Sequence, residues 1–299
     1  MFDICLLGTS GMMPLPKRFL TSALFRYNGN MVLIDCGEAT QITLKMLGWG
    51  FKNINTICFT HFHADHISGL PGMLLTLSNS GREEPLTIIG PKGVKKVCES
   101  LRVIAPDLTF DINYIEADDE CNEFHVDDFV INTLEVKHGI NCLAYSISIP
   151  RKGKFNLEKA EELNIPKTYW HVLQNGEEID GFKPEMVMGE ARKGFKVSYC
   201  TDTRPTENLP AFVSESDLFI CEGMYGDDEE QQKAIERKHM MFKEAASIAK
   251  EGNVNELWLT HFSPSLTNPQ DYIDDVKNIF TNAYVGKDRM IKTLKYEED

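Results

Sequence analysis

The chain of 299 residues is 42% hydrophobic and 25% charged, which excludes global disorder and suits one large α/β domain or two small ones. Its formal net charge of −14 excludes a basic coat for non-specific nucleic-acid binding, so any nucleic-acid contact requires a local patch. Eight scattered cysteines with no CxxC read as buried free thiols in a reducing compartment, and no run of about 18 apolar residues marks a membrane helix. The expected location is cytoplasmic, with no membrane.

The N-terminal run MFDICLLG breaks at Gly8 and reads as a first strand, not a signal peptide. Further strand-like runs follow as TSALFRY, MVLIDCG, TICFT, LTIIG, FVINTLEV and CLAYSISI, with helical spacing over 39–47 and 92–103. Strands followed by helices, then strands without them, predict a layered α/β protein with mixed sheets. Residues 151–195 differ, with Gly and Pro breaks, one short helical segment and few strand-like runs, and read as an arm inserted into a single domain spanning 1–299. The α/β pattern then resumes with KVSYCTD, DLFICEG, a long helix near 229–251, and ELWLTHF. The echo between ICFTHFHADH (57–66) and LWLTHFSPSL (257–266) suggests a duplicated unit delivering histidine at a strand end.

The strongest chemical signal is THFHADH at 60–66. Three of the chain's eight histidines fall here with one aspartate. Imidazole and carboxylate are ligands for borderline divalent metals, zinc first. On a turn, His61 and His63 reach one side while Asp65 and His66, opening the next helix, reach another. One open tetrahedral ion cannot take all four, but two ions a few ångströms apart can.

HxHxDH after a strand resembles the metallo-β-lactamase superfamily, which implies a four-layer αββα sandwich with an inserted arm. Matching its later motifs are His138 in VKHG, Asp202 in VSYCTDTRP and His261 in LWLTHFS. The resemblance implies one metal on His61, His63 and His138, another on Asp65, His66 and His261, and Asp202 bridging. LLGTSGMMPLPKR, VLIDCGEATQ, HADHISGLPGML, IIGPKGV and the stretch 152–205 resemble the ribonuclease Z family more closely still. That resemblance implies an endoribonuclease acting on precursor tRNA 3′ of the discriminator base. It also implies two zinc ions per subunit, with manganese the alternative, and a homodimer in which the arm presents the substrate.

Two divalent metals bridged by a carboxylate suit in-line attack on a phosphodiester. Asp65 is the expected water-orienting base, and His239, held by Glu222, the expected acid for the departing oxygen. Thr60, Asp35 and Gly37 are expected to support the ligands, and His125 and His171 to sit at the surface or in packing. Basic clusters expected to meet substrate are Lys17 and Arg18, then Arg151, Lys152 and Lys154, then Arg192 and Lys193. CEGM (221–224), KHMM (238–241) and Ser263-Pro264-Ser265-Leu266 depart from the family's usual motifs. They leave open a hydrolase of small phosphodiesters or other esters and, third, a non-catalytic RNA-binding relative.

Overall fold

The structure, a computed structural model, describes residues 1–117 and 122–296. Its strands in chain order are β1 (Phe2–Gly8), β2 (Ser22–Tyr27), β3 (Asn30–Ile34), β4 (Ile54–Cys58), β5 (Leu86–Pro91), β6 (Ile112–Ala117) and β7 (Glu123–Val126). They continue as β8 (Phe129–Val136), β9 (Cys142–Arg151), β10 (Arg192–Cys200), β11 (Leu218–Glu222), β12 (Leu257–Thr260), β13 (Ala283–Val285) and β14 (Met290–Leu294). Two sheets result, ordered β14-β1-β2-β3-β4-β5-β6 and β13-β12-β11-β10-β9-β8-β7.

Each sheet changes character across its width. In the first, β14, β1, β2 and β3 pair antiparallel, and β3 through β6 pair parallel. In the second, β7 and β8 are antiparallel and β10 through β13 parallel. Parallel pairing requires crossovers, and helices supply most of them. They are α1 (Thr40–Leu47), α2 (Ala64–Ile67), α3 (Leu70–Asn79), α4 (Val94–Leu101), α5 (Leu157–Glu162), α6 (Lys167–Gln174), α7 (Leu209–Val213), α8 (Gln231–Arg237), α9 (Phe242–Glu251) and α10 (Ile273–Ile279).

Strands covered on both faces read as unbroken apolar runs rather than alternating ones. In β1, Cys5 and Leu7 face a core shared with Leu44, Leu74 and Cys98 of α1, α3 and α4. The buried Phe2 instead brings its ring to 6.3 Å from that of Phe129 on β8, so the two sheets face each other. The second sheet's outer core packs Phe219 and Leu259 against α7, α9 and α10. This is the expected αββα layering. The seven described cysteines are all buried and unpaired; Cys121 lies outside the described residues, as do 297–299 of the acidic tail.

The chain divides into two compact units, 1–147 with 196–299, and 148–195. The smaller has its own core of Ala160, Ile165, Leu173 and Val187, ringed by Phe155, Trp170 and Phe182. It carries two α-helices, α5 and α6, where the sequence reading expected one helical segment. Asn156 starts α5 by accepting the Lys159 N–H at 3.0 Å, a side-chain cap, and Pro166 precedes α6.

The helix expected near 229–251 is also corrected. It is two helices, α8 and α9, separated at 238–241. Lys238 adopts φ 59, and Met224 N donates to Met240 O at 3.1 Å while Phe242 N donates to Tyr225 O at 3.0 Å. Extended pairing with the segment after β11 thus replaces helical bonding, and Glu244 closes the gap by accepting the Met241 N–H at 2.8 Å.

Candidate metal centre

Strand ends deliver the site. β4 ends at Cys58 and the chain passes through Thr60, His61 and His63 into α2, whose first turns carry Asp65 and His66. On the other sheet, β10 leads to Asp202, β12 to His261 and β8 to His138. Asp202 and His261 both take left-handed backbone, φ 53 and φ 58. For non-glycine residues that conformation is uncommon and concentrates at functional sites.

One nitrogen of each imidazole faces the others, while the second nitrogen of His61, His66 and His138 is held by Thr60, Asp35 and Lys238 O. His63 Nδ1 lies 2.9 Å from His61 Nε2 and 3.3 Å from His138 Nε2. His66 Nε2 lies 3.3 Å from His261 Nε2, and Asp65 Oδ2 stands 3.5 and 3.6 Å from those two nitrogens. Asp202 joins the groups. Its Oδ1 lies 3.9 and 3.8 Å from His61 and His138 Nε2, and its Oδ2 lies 3.2 Å from His66 and His261 Nε2. Asp202 Oδ2 and His261 Nδ1 are buried with no hydrogen bond among the described residues.

Such an arrangement fits divalent metal ions. Ligand bonds of about 2.0–2.2 Å in a tetrahedron put neighbouring donor atoms roughly 3.3–3.6 Å apart, and the separations here, from 2.9 to 3.9 Å, bracket that spacing. Two groups, His61–His63–His138–Asp202 and Asp65–His66–His261, meet the requirement, and a third combination of Asp202, His239 and His261 overlaps them.

Charge in the cluster is strongly polarised. Burial pushes the imidazoles of His61 and His138 below their usual range. Burial works the same way on His66, but the carboxylates of Asp202 and Asp35 outweigh it and hold it well above. His261, against the same burial, is pushed up to about 10 by Asp202, Asp65 and Glu222. Burial also opposes ionisation of Asp202 and Asp65, yet the surrounding histidines hold both carboxyls below the usual carboxylate range.

Supporting contacts set the ligand orientations. Asp35, fully buried at φ 60, accepts from His66 Nδ1 at 2.8 Å and from Thr60 N at 2.8 Å, leaving His66 Nε2 for the cluster. Gly37 must be glycine, since a Cβ there would lie 2.0 Å from Asp65 O. Met12 N donates to Asp65 Oδ2 at 2.7 Å from a left-handed φ of 64, a contact no sequence pattern announces.

His239 and Glu222 come together at the edge of the cluster. Glu222, fully buried at the end of β11, accepts from His239 Nδ1 at 2.9 Å, and its other oxygen accepts the Thr203 N–H at 2.5 Å. Burial opposes the charged imidazole, but the Glu222 carboxylate raises His239 above its usual range. His239 sits in the break after α8 and lines the cleft with the ligands, rather than lying on a solvated helix. Arg204 holds the break, donating through Nη1 to His239 O at 2.6 Å and pairing with Glu244. Arg204 and Glu244 were missed by sequence reasoning; only Arg204's closeness to Asp202 hinted at a role.

The expected substrate residues fall elsewhere. Lys17 and Arg18 line a separate cavity of about 250 Å³, and Arg18 Nη1 donates to Leu266 O at 3.2 Å. Lys152, Lys154 and Arg192 share a shallow cleft of the smaller unit, where Lys152 Nζ donates to Asn175 O at 2.6 Å and Arg192 Nε to Lys152 O at 3.0 Å. Arg151 is half-buried and Lys193 exposed in the same unit. His125 is exposed and pairs with Glu123 at 3.0 Å, and exposed His171 meets Asn175 at 3.2 Å.

Two facing mixed sheets with paired His/Asp groups at their strand ends define a metal-dependent hydrolase of metallo-β-lactamase fold. YhfI of Bacillus subtilis, a metallo-β-lactamase fold protein, superposes with a TM-score of 0.71 at 19% identity, over 97% of this chain and 98% of that one. The short form of human tRNase Z superposes with a TM-score of 0.70 at 24% identity, over 98% of this chain and 100% of that one. A family profile described as anti-Pycsar protein Apyc1 matches residues 2–160. The ribonuclease Z of Clostridium kluyveri is 55% identical over 303 aligned residues, and that of Lachnospira eligens 53%, each covering 100% of both chains. The chain belongs to the ribonuclease Z family.

Proposed function

We infer that the protein is a metal-dependent endoribonuclease that matures tRNA 3′ ends, hydrolysing the phosphodiester 3′ of the discriminator base in precursor tRNA. One observation carries the reading: two His/Asp groups joined through both oxygens of Asp202 share a cleft with a Glu222-held His239. Family membership supplies the substrate class. Two zinc ions per subunit fit the ligand chemistry best, with His61, His63 and His138 holding one, Asp65, His66 and His261 the other, and Asp202 both. When bound, the ions supply positive charge for the developing phosphoryl charge and acidify water for attack at neutral pH.

The chain's own residues complete the reaction. Asp65, kept ionised by His261 and His66 and fixed by Met12 N, orients the attacking water and accepts its proton. Attack in line with the departing O3′ breaks the P–O3′ bond. His239, its Nδ1 tied to Glu222, gives the proton to that oxygen. The products are a 3′-hydroxyl on the tRNA and a 5′-phosphate on the trailer. The smaller unit, with Arg151, Lys152, Lys154, Arg192 and Lys193, and the Lys17–Arg18 segment serve as backbone contacts, and the working form is a cytoplasmic homodimer. Among the described residues no helix is long and apolar enough to cross a membrane.

Metal-loaded protein incubated with a 3′-extended precursor tRNA should release one trailer and a 3′-hydroxyl tRNA. Turnover of small phosphodiesters with no precursor cleavage would overturn the tRNA assignment. A sedimentation mass near 33.9 kDa would overturn the dimer.

A further inference from the structure

Around the metal groups, the active cleft encloses about 570 Å³, within the range of pockets that hold small ligands. Its rim is nearly devoid of positive charge. Met12 and Met13, both exposed, form one side, and the uncharged Ser263, Pro264 and Ser265 form another. Apart from histidines, the cations that line it are Lys233 and Arg237, one turn apart on α8. The chain carries a net charge of −14, so general attraction cannot bring a polyanion to this opening.

Neither cation is committed to the fold. Arg237 is exposed and forms no ion pair among the described residues. Lys233 is exposed; its Nζ lies 4.8 Å from the Tyr225 ring centroid, on the cleft wall, and 3.0 Å from Glu230. An exposed i,i+3 pair is worth little and yields readily to a phosphate. Tyr225 is itself buried at the cleft wall, so Lys233 rests against its ring with the ammonium left at the cleft.

Resting on the endoribonuclease reading above, we propose that Lys233 and Arg237 are the substrate-strand clamp of this cleft, each holding a backbone phosphate beside the scissile bond. The clamp is assigned a side of that bond as well. Arg237 precedes His239 by two residues on the segment leading out of α8, and His239 serves the departing O3′ of the discriminator nucleotide. Placed with His239 on the side of the departing O3′, the clamp would grip the tRNA strand 5′ of the cut.

Counterion release sets the expected size. Each phosphate contact to a single strand contributes about 0.7 to the slope of log affinity against log salt, or roughly fivefold per decade of salt. The experiment is steady-state cleavage of a 3′-extended precursor tRNA by the metal-loaded full chain at several salt concentrations. Arg237→Ala and Lys233→Ala should each raise KM more than they lower kcat and flatten the salt slope by about 0.7. Arg237→Lys should keep the wild-type slope, and metal content and Tm should match wild type throughout. The KM deficit should be the same on short and long trailers. Salt slopes parallel to wild type in both alanine variants would overturn the clamp, and a deficit confined to long trailers would overturn its placement on the tRNA side. A wild-type protein that leaves the precursor intact overturns the endoribonuclease reading first, and this proposal with it.

Discussion

At the level of single side chains, the acid role assigned to His239 separates from metal binding. The imidazole contacts Glu222 at 2.9 Å through Nδ1, and general acid catalysis is worth roughly 10²–10⁴-fold. His239→Ala should lower kcat on precursor tRNA within that range while metal content by mass spectrometry stays at wild type. On a nitrophenyl phosphodiester, whose leaving group needs no proton, the defect should shrink. Equal losses on both substrates would make His239 structural. Glu222→Gln should fall between wild type and His239→Ala, since it leaves the ring but weakens its orientation. Asp35 acts one contact further out. Its carboxylate fixes His66 with Nδ1 as donor, and loss of such a partner typically costs about 10–100-fold in metal affinity. Asp35→Asn should show that loss in competition with a chromophoric chelator; unchanged affinity would assign Asp35 to folding alone.

Elements were legible where local chemistry and periodicity agreed. The spacing at 61, 63, 65 and 66 forces histidines and aspartate to two sides of one strand-to-helix turn, and the structure has that turn between β4 and α2. His138, Asp202 and His261 stand alone in sequence, and only resemblance gathers them, because their partnership depends on which strands face across the sandwich. Between 229 and 251 periodicity misled. AIERKHMMFKEAASIAK keeps apolar positions at helical spacing through residues that bond to the 224–225 backbone instead. That break is what brings His239 to the His/Asp cluster, and Arg204 with Glu244 holds it. Arg204→Ala leaves His239 O without its donor and the half-buried Glu244 carboxylate with only the Met241 N–H, a loss of about 1–3 kcal/mol. Tm should fall, and kcat on precursor tRNA should fall further than the folded fraction explains. In a His239→Ala background the kcat effect of Arg204→Ala should vanish. An undiminished effect there would show that Arg204 acts through some other group.

For the molecule as a whole, the site is also a reservoir of opposed charge that metals discharge. Without metal, His66 and His261 are held above the usual histidine value of 6.5, His261 near 10. Raised histidines contribute stability that is fully present below about 6.5 and is lost as pH rises through their folded values. Chelated protein should therefore lose Tm steadily between neutral pH and about 10, whereas metal-loaded protein, which needs its imidazoles neutral, should resist that rise. A chelated protein whose Tm is flat over the interval would show that the folded chain does not hold His66 and His261 protonated there. The two-unit organisation yields a separate expectation. The cores of the larger unit are built from its own residues, and the smaller unit packs on a cluster of its own. At its base the two chain ends already meet, with Gly189 N donating to Lys154 O at 2.8 Å. Replacing residues 155–188 by a two-residue turn should preserve that hydrogen bond and the β9–β10 pairing. The shortened protein should retain its metal and its turnover of a nitrophenyl phosphodiester, and lose most cleavage of precursor tRNA. Metal loss on excision would show that the smaller unit is needed to form the site, and undiminished precursor cleavage would show that it makes no contribution to gripping the substrate.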